Sequence, residues 1–267
     1  MIYGMYLSAT GVMTCAHAQD VISNNLANGE TTGFKKSMAL YTERQVESRA
    51  LAASDPTKAN ALANDLLDRI GGGQLLAPTS VDLSQGDLEQ TGNPLDIAVS
   101  GKGFISVRDA ATGENRLTRA GELMIDKGGN LITAQGHAVL GKGDQPIKLN
   151  GVKQDELSIG PDGTIARVTS TGGREPLATI NLVESTDADA VKPIGANLFK
   201  LVGDEARLIP SPTSRLESGY VERSNVDTAT ELTQLMQTQR QLEANANMIK
   251  FQDATLAKAV NELGKIS

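Results

Sequence analysis

Leu235, Leu242, Ile249, Leu256 and Leu263 recur at every seventh position near the end of this 267-residue chain. Leu232, Ala246 and Val260 stand three residues before members of that series, while Gln239 and Asp253 hold the other two such places. An apolar residue repeating every seven positions over about five heptads predicts a helix with a coiled-coil seam. Ser224-Asn225-Val226-Asp227 reads as a capping box at its start, with Ser224 as the N-cap. Gly264 stands where a C-terminal cap belongs. A helix over 225–263 would run roughly 58 Å at ~1.5 Å per residue. A compact globule of this chain length has a radius of gyration of about 18 Å, hence a diameter near ~48 Å. The helix is longer than the globule is wide, so its apolar stripe needs partners outside a conventional core.

A second helix is expected over 2–28, where Met5, Ala9, Val12, Ala16 and Leu26 approximate the same stripe. Asn28-Gly29 supplies its end signal, with Gly29 free to take a left-handed cap. Between the helices the punctuation changes. Short apolar or alternating runs at 95–99, 104–107, 122–125, 130–133, 138–140, 164–168 and 178–183 alternate with Gly-rich turns such as Lys127-Gly128-Gly129-Asn130 and Pro161-Asp162-Gly163. That spacing predicts an antiparallel all-β middle domain built of hairpins. The expected fold class is therefore α+β, an antiparallel β middle flanked by long N- and C-terminal helices that pair as a coiled coil. We divide the chain into a helical assembly segment 1–40, a linker 41–75 with a short helix at 59–70, a β domain 76–220 and a C-terminal helix 221–267.

Composition narrows the chemistry. Aromatic residues make up only 3% and tryptophan is absent, so the core must rest on Ala, Leu, Ile and Val. A net charge of −7 argues against a nucleic-acid partner that needs a basic face. A single cysteine, Cys15, excludes an internal disulfide framework and a multi-thiolate metal site. No run of about 20 apolar residues predicts a membrane span. The first 18 residues carry no basic n-region and are broken by Gly4, Ser8, Thr10 and Gly11, unlike a cleaved secretory signal.

Catalytic constellations are not found. Gly136-His137-Ala138-Val139-Leu140-Gly141-Lys142 matches the phosphate-cradling pattern, but Gly143 replaces the Mg²⁺-ligating Ser or Thr, and two hairpin turns are expected instead. Cys15 and His17 lie two apart on a helix and so do not share a face. His137 sits at a Gly-flanked turn with no second ligand in view, and Asp187 and Asp189 read as a solvated loop. Asp126-Lys127-Gly128-Gly129-Asn130 lacks the remaining acids of a calcium loop. No catalytic, cofactor or metal residues are assigned.

Several stretches carry a family. Asp20-Val21-Ile22-Ser23-Asn24-Asn25-Leu26-Ala27-Asn28 followed by Thr31-Thr32-Gly33-Phe34-Lys35 resembles the N-terminal signature of flagellar rod and hook proteins. Ser84-Gln85-Gly86, Gln90-Thr91-Gly92-Asn93-Pro94-Leu95-Asp96-Ile97-Ala98, Gly103-Phe104 and Leu117-Thr118-Arg119-Ala120-Gly121 are similar to its axial subgroup. Gly219-Tyr220-Val221-Glu222-Arg223-Ser224-Asn225-Val226-Asp227, with Gln239-Arg240 and Glu243-Ala244-Asn245, completes the pattern in the family's order.

The resemblance implies a bacterial flagellar basal-body rod subunit, proximal or distal. It implies export by the flagellar type III apparatus without a cleaved signal. It also implies helical polymerisation with itself and contact with other rod and hook proteins in a torque-bearing shaft across the periplasm. The assembly residues are then Leu235, Leu242, Ile249, Leu256 and Leu263 as the C-terminal seam, with Met5, Val12 and Leu26 facing it. Asn24, Asn25 and Asn28 lie where the first helix ends and serve either as a subunit-contact elbow or as simple caps. Isolated helices are marginal in water, so the ends are expected to order on assembly, which hydrogen exchange on a dilute monomer reads directly. The alternative class is a monomeric secreted or periplasmic binding domain with a helical stalk.

Overall fold

The computed structural model describes residues 2–44, 72–149, 151–152, 154–169, 173–187, 190–202, 208–211 and 214–263. The expected short helix at 59–70, the Gly264 cap and Asp189 lie outside them. The chain has an α+β architecture and divides into two compact units. One, the helical unit, comprises 1–26, 37–80 and 228–267; the other, the β unit, comprises 27–36 and 81–227.

The helical unit holds α1 (Ile2–Ala27) and α2 (Thr228–Leu263). At about 1.5 Å per residue the 36 residues of α2 extend roughly 54 Å. The helix starts later than the capping box suggests. Asp227 occupies the place before its first residue, while the Ser224 hydroxyl accepts the Val226 N–H at 3.3 Å in a local turn. Both ends of the presumed linker are strand, since Ser37–Glu43 and Gln74–Val81 form a two-stranded sheet. Gly73, at φ 90°, lies against Leu7 and Thr10 of α1. Among the described residues no helix is long and apolar enough to cross a membrane.

The β unit is antiparallel throughout its described pairings. Its nine-stranded sheet runs Val191–Gly195, Leu198–Leu201, Asn115–Thr118, Phe104–Arg108, Ala138–Val139, Leu131–Thr133, Leu123–Ile125, with Leu182–Ser185 and Leu208–Pro210 branching off Phe104–Arg108. A three-stranded sheet joins Leu157–Ile159, Thr164–Val168 and Arg174–Thr179. Phe104–Arg108 is the organising strand because both of its faces are covered. Successive side chains point to opposite faces, so Ile105 and Val107 enter the large aliphatic cluster with Leu95, Ile97, Leu131 and Ile165. Phe104 enters a second cluster with Leu117, Val191 and Phe199, its ring 5.6 Å from that of Phe199. A continuous buried run there reads as apolar rather than alternating.

The expected strand over 178–183 is two strands. Arg174–Thr179 ends and Leu182–Ser185 begins on either side of Ile180, which bridges to Gly141. The turns follow their side chains. Asp126 accepts the Asn130 N–H at 2.8 Å and its Nδ2 at 2.9 Å, so this carboxylate closes its own hairpin rather than facing an ion. After α1, the left-handed glycine is Gly33 (φ 70°) rather than Gly29.

Candidate functional site

In the helical unit, α1 and α2 meet in an antiparallel register. A Cβ built on Gly4 would stand 2.8 Å from Gln252 Nε2, and one on Gly11 2.8 Å from Asn245 Nδ2. Asn25 Nδ2 donates to Glu231 Oε2 at 3.1 Å. Positions on α1 rise by multiples of seven while their partners on α2 fall by the same steps, so one stripe of each helix is in contact throughout. At these three crossings α1 presents Gly4, Gly11 and Asn25, and α2 presents the polar Gln252, Asn245 and Glu231. Asn245 Nδ2 also reaches Cys15 Sγ at 3.9 Å, and burial raises the pKa of that thiol. At both glycines the ends of the Gln252 and Asn245 side chains lie where a methyl would stand.

The expected assembly residues fall into three groups. Met5, Val12 and Leu26 on α1, and Leu235, Leu242, Ile249 and Leu256 on α2, are half-buried within the chain; Leu263 ends α2, and its side chain lies outside the described residues. Asn25 is fully buried. Its Oδ1 accepts the Ser37 N–H and its Nδ2 donates to the Ser37 carbonyl, both at 2.9 Å, imitating a strand neighbour at the start of Ser37–Glu43. Asn24 is exposed, and Asn28 holds the turn after α1, accepting from Thr31 through Oδ1 and its carbonyl. Around these, large apolar side chains stay open to solvent: Met13 is 62%, Phe251 70% and Val260 67% exposed.

In the β unit the structure assembles a site that the sequence did not announce. Glu222 is fully buried between Lys35 and Arg119, whose side chains are no more than 1% exposed. Lys35 Nζ donates to Glu222 Oε1 at 2.5 Å and to the Ser84 carbonyl at 2.6 Å. Arg119 donates through Nη1 to Glu222 Oε2 at 3.2 Å and through Nη2 to the Gly101 carbonyl at 2.8 Å, with its guanidinium 4.9 Å over the Phe104 ring. The Gly86 N–H completes the carboxylate's shell at 3.0 Å. Desolvation pushes the Lys35 ammonium below the usual lysine range, and the Glu222 carboxylate opposes that shift.

Backbone packs against backbone around this cluster. A Cβ on Gly121 would lie 1.6 Å from the Ile97 carbonyl oxygen, one on Gly86 2.0 Å from that of Arg223, and one on Gly33 2.5 Å from the Ala120 nitrogen. Lys35, Gly86, Arg119 with Gly121, and Glu222 come from four different signature stretches, and the fold brings them together. No local signal marked the cluster, since Arg119 follows the polar Thr118 and Glu222 stands beside Arg223 and Ser224.

Elsewhere the chemistry stays local. His137 is buried, its Nδ1 accepting the Ala110 N–H at 3.2 Å and lying 3.3 Å from Asp109 Oδ1, so it has a carboxylate neighbour that sequence did not reveal. Donors from Thr112 and Ala111 hold the Asp109 carboxyl below the usual range. Lys142 follows the strand Ala138–Val139 and the bridging residues Leu140 and Gly141, the hairpin context expected in place of a phosphate loop. Among the described residues no group of three or more His, Cys, Asp or Glu could hold a metal.

Residues 5–35 match the family described as flagella basal body rod protein, 98–167 the D1 domain of flagellar hook protein FlgE/F/G, and 217–262 the C-terminal part of flagellar basal body rod FlgEFG protein. The chain is 31% identical to the flagellar basal-body rod protein FlgG of Bacillus subtilis, over 98% of this chain and 99% of the relative. The chain belongs to the flagellar basal-body rod protein family. Among other relatives, FlgG of Buchnera aphidicola subsp. Schizaphis graminum is 31% identical over 97% of this chain and 98% of its own length, and FlgF of Caulobacter vibrioides is 30% identical over 98% of both. Lys35 closes the first family segment, Arg119 lies in the second and Glu222 in the third, so the buried ion cluster ties the three matched segments together.

Proposed function

We propose that this protein is a structural subunit of the bacterial flagellar basal-body rod, polymerising with itself into the axial shaft that carries torque from motor to hook. In that shaft it would touch other rod and hook proteins after delivery by the flagellar export apparatus. The observation that carries the reading is the contrast within one chain between a closed β core and two terminal helices with open apolar side chains. A helix apolar on more than one side is buried on more than one side, and a heterologous contact that does not close builds a helical filament. The terminal helices then form a packed layer of the shaft, with the seam leucines in coiled-coil contacts between neighbours. Asn25, spent on Ser37 and Glu231, serves this layer by tying the end of α1 to the starts of α2 and of the strand Ser37–Glu43, rather than by touching a neighbour.

Replacing both Leu242 and Ile249 by Asp tests this. The variant should lose incorporation into rods, seen by electron microscopy of basal bodies and as loss of motility, while its β-sheet circular dichroism and unfolding transition persist. Normal rods from that variant would overturn the seam.

A further inference from the structure

Within the helical unit, α2 meets α1 along a polar row. Gln252 lies against Gly4, Asn245 lies against Gly11, and Glu231 accepts from Asn25. The same seven-residue steps place Thr238 opposite Ala18. Glu231 and Thr238 are buried. Leu235, Leu242, Ile249 and Leu256 each follow a member of this row by four residues and are half-buried. The two rows together advance in steps of four and three, the a and d places of a heptad seam. The a places are then Glu, Thr, Asn and Gln. The chain buries Glu231 and Thr238 yet leaves the adjoining Leu232 49% exposed, the reverse of what apolar transfer alone favours. The arrangement carries a cost, since Gln252 Oε1 is buried without a hydrogen-bond partner among the described residues.

Partner choice accounts for that cost. A polar residue at a seam position lowers stability and selects register and partner, and discrimination works by penalising the wrong partner. The ends of Asn245 and Gln252 occupy room that α1 leaves open at Gly11 and Gly4. From Thr228 to Leu263, α2 itself has no glycine, so a second α2 would meet these amides with side chains in place of that room. We propose that Thr238, Asn245 and Gln252 are specificity-determining residues of assembly. They make this face of α2 accept α1 and refuse the α2 of a second copy, so that copies do not join here as dead-end dimers. The role in assembly rests on the reading of the chain as a polymerising subunit; the pairing rule does not.

The test follows the full-length chain by sedimentation equilibrium in dilute solution, where wild type should be monomeric. Asn245→Leu/Gln252→Leu, which makes the a places match the leucine row, should dimerise at least tenfold more tightly. Cross-links should then join the α2 lysines, Lys250 and Lys258, of different copies in an isotope-labelled mixture. Thr233→Leu/Asn247→Leu puts a comparable apolar gain on exposed positions of α2 and should not dimerise. Unchanged association, equal dimerisation of that control, a dimer without those cross-links, or a wild type already joined through them overturns the proposal. Gly11→Leu gives an independent reading. It should speed amide exchange in α2 as α1 is displaced, yet leave the chain monomeric because the polar row remains. Unaltered exchange, or dimerisation of that variant, overturns the pairing rule. In cells that carry the chain as their only copy, Asn245→Leu/Gln252→Leu should lower the number of rods at least tenfold. Normal rods from a dimerising variant overturn the role in assembly. A wild type that builds no rods overturns the polymerising-subunit reading and leaves the result in solution standing.

Discussion

The β unit and the helical unit treat their apolar residues in opposite ways. Leu95, Ile97, Val107 and Leu131 in the β unit have no solvent exposure, and they belong to one aliphatic cluster that closes within the chain. Met13 and Phe251 on the helices are 62% and 70% exposed. The sheet can satisfy itself because a strand covered on both faces finds partners in its own hairpins. A pair of single helices cannot, because each offers the other one stripe and leaves the rest of its circumference open. Exposed apolar surface of this kind marks an interaction surface. Stability in this molecule therefore sits mainly in the β unit, and the capacity to associate sits in the helices.

That contrast can be broken from either side. The largest effect is expected from Glu222→Ala, which leaves Lys35 and Arg119 buried without their anion. Urea unfolding of the full chain should show a loss of about 3–5 kcal/mol. A change within error of wild type would mean that the β unit does not depend on the ion cluster for closure. Phe251→Ala removes a larger side chain, yet from an exposed helix position. It should move monomer stability by no more than about 0.5 kcal/mol while sharply reducing filament formation by sedimentation. A large destabilisation of the monomer would show that α2 is already packed before assembly.

The smallest effect is a pH dependence. Donors from Asn130 hold the Asp126 carboxyl below its usual range, and donors from Thr164 do the same for Asp162. Between the lowered and the ordinary carboxylate pKa the unfolded chain binds more protons than the native one. The stabilisation is present above the ordinary carboxylate range and is lost as pH falls through the lowered values. Asp126→Asn should flatten that acid limb in pH-dependent melting, and an unaltered limb would show that this turn does not contribute.

The two regions also differed in how much could be read without the structure. The helices and most short strands announce themselves because their signals are local: a seven-residue repeat, a two-residue alternation, a glycine turn. The misplacements have local causes too. Ser224 has the right chemistry for a cap, but the Val226 N–H takes its hydroxyl and the helix waits until Thr228. The apolar run across Ile180 could not show that it belongs to two strands, because the division comes from Ile180 bridging to Gly141. The ion cluster was beyond this kind of reading. Glu222 pairs with residues 187 and 103 positions away, and nothing in the spacing of Lys35, Arg119 and Glu222 reports that they meet. Asn25 was singled out for its place at a helix end, but its three hydrogen bonds, two with Ser37 and one to Glu231, depend on a strand and a helix that begin elsewhere in the chain.

The amino-acid sequence by itself determined the α+β layout, two long terminal helices around an antiparallel middle, and the family signatures. Each of these is written in periodicity or in short motifs, where neighbouring residues dictate the backbone. Only the tertiary structure decided that those motifs converge on one buried Lys–Glu–Arg cluster, and that small and polar residues line the contact between α1 and α2. It also decided that Arg119, Lys102 and Glu184 come to line one cavity. These outcomes depend on which distant groups lose their water together. Desolvation and pairing are properties of the packed chain, and no local pattern encodes them.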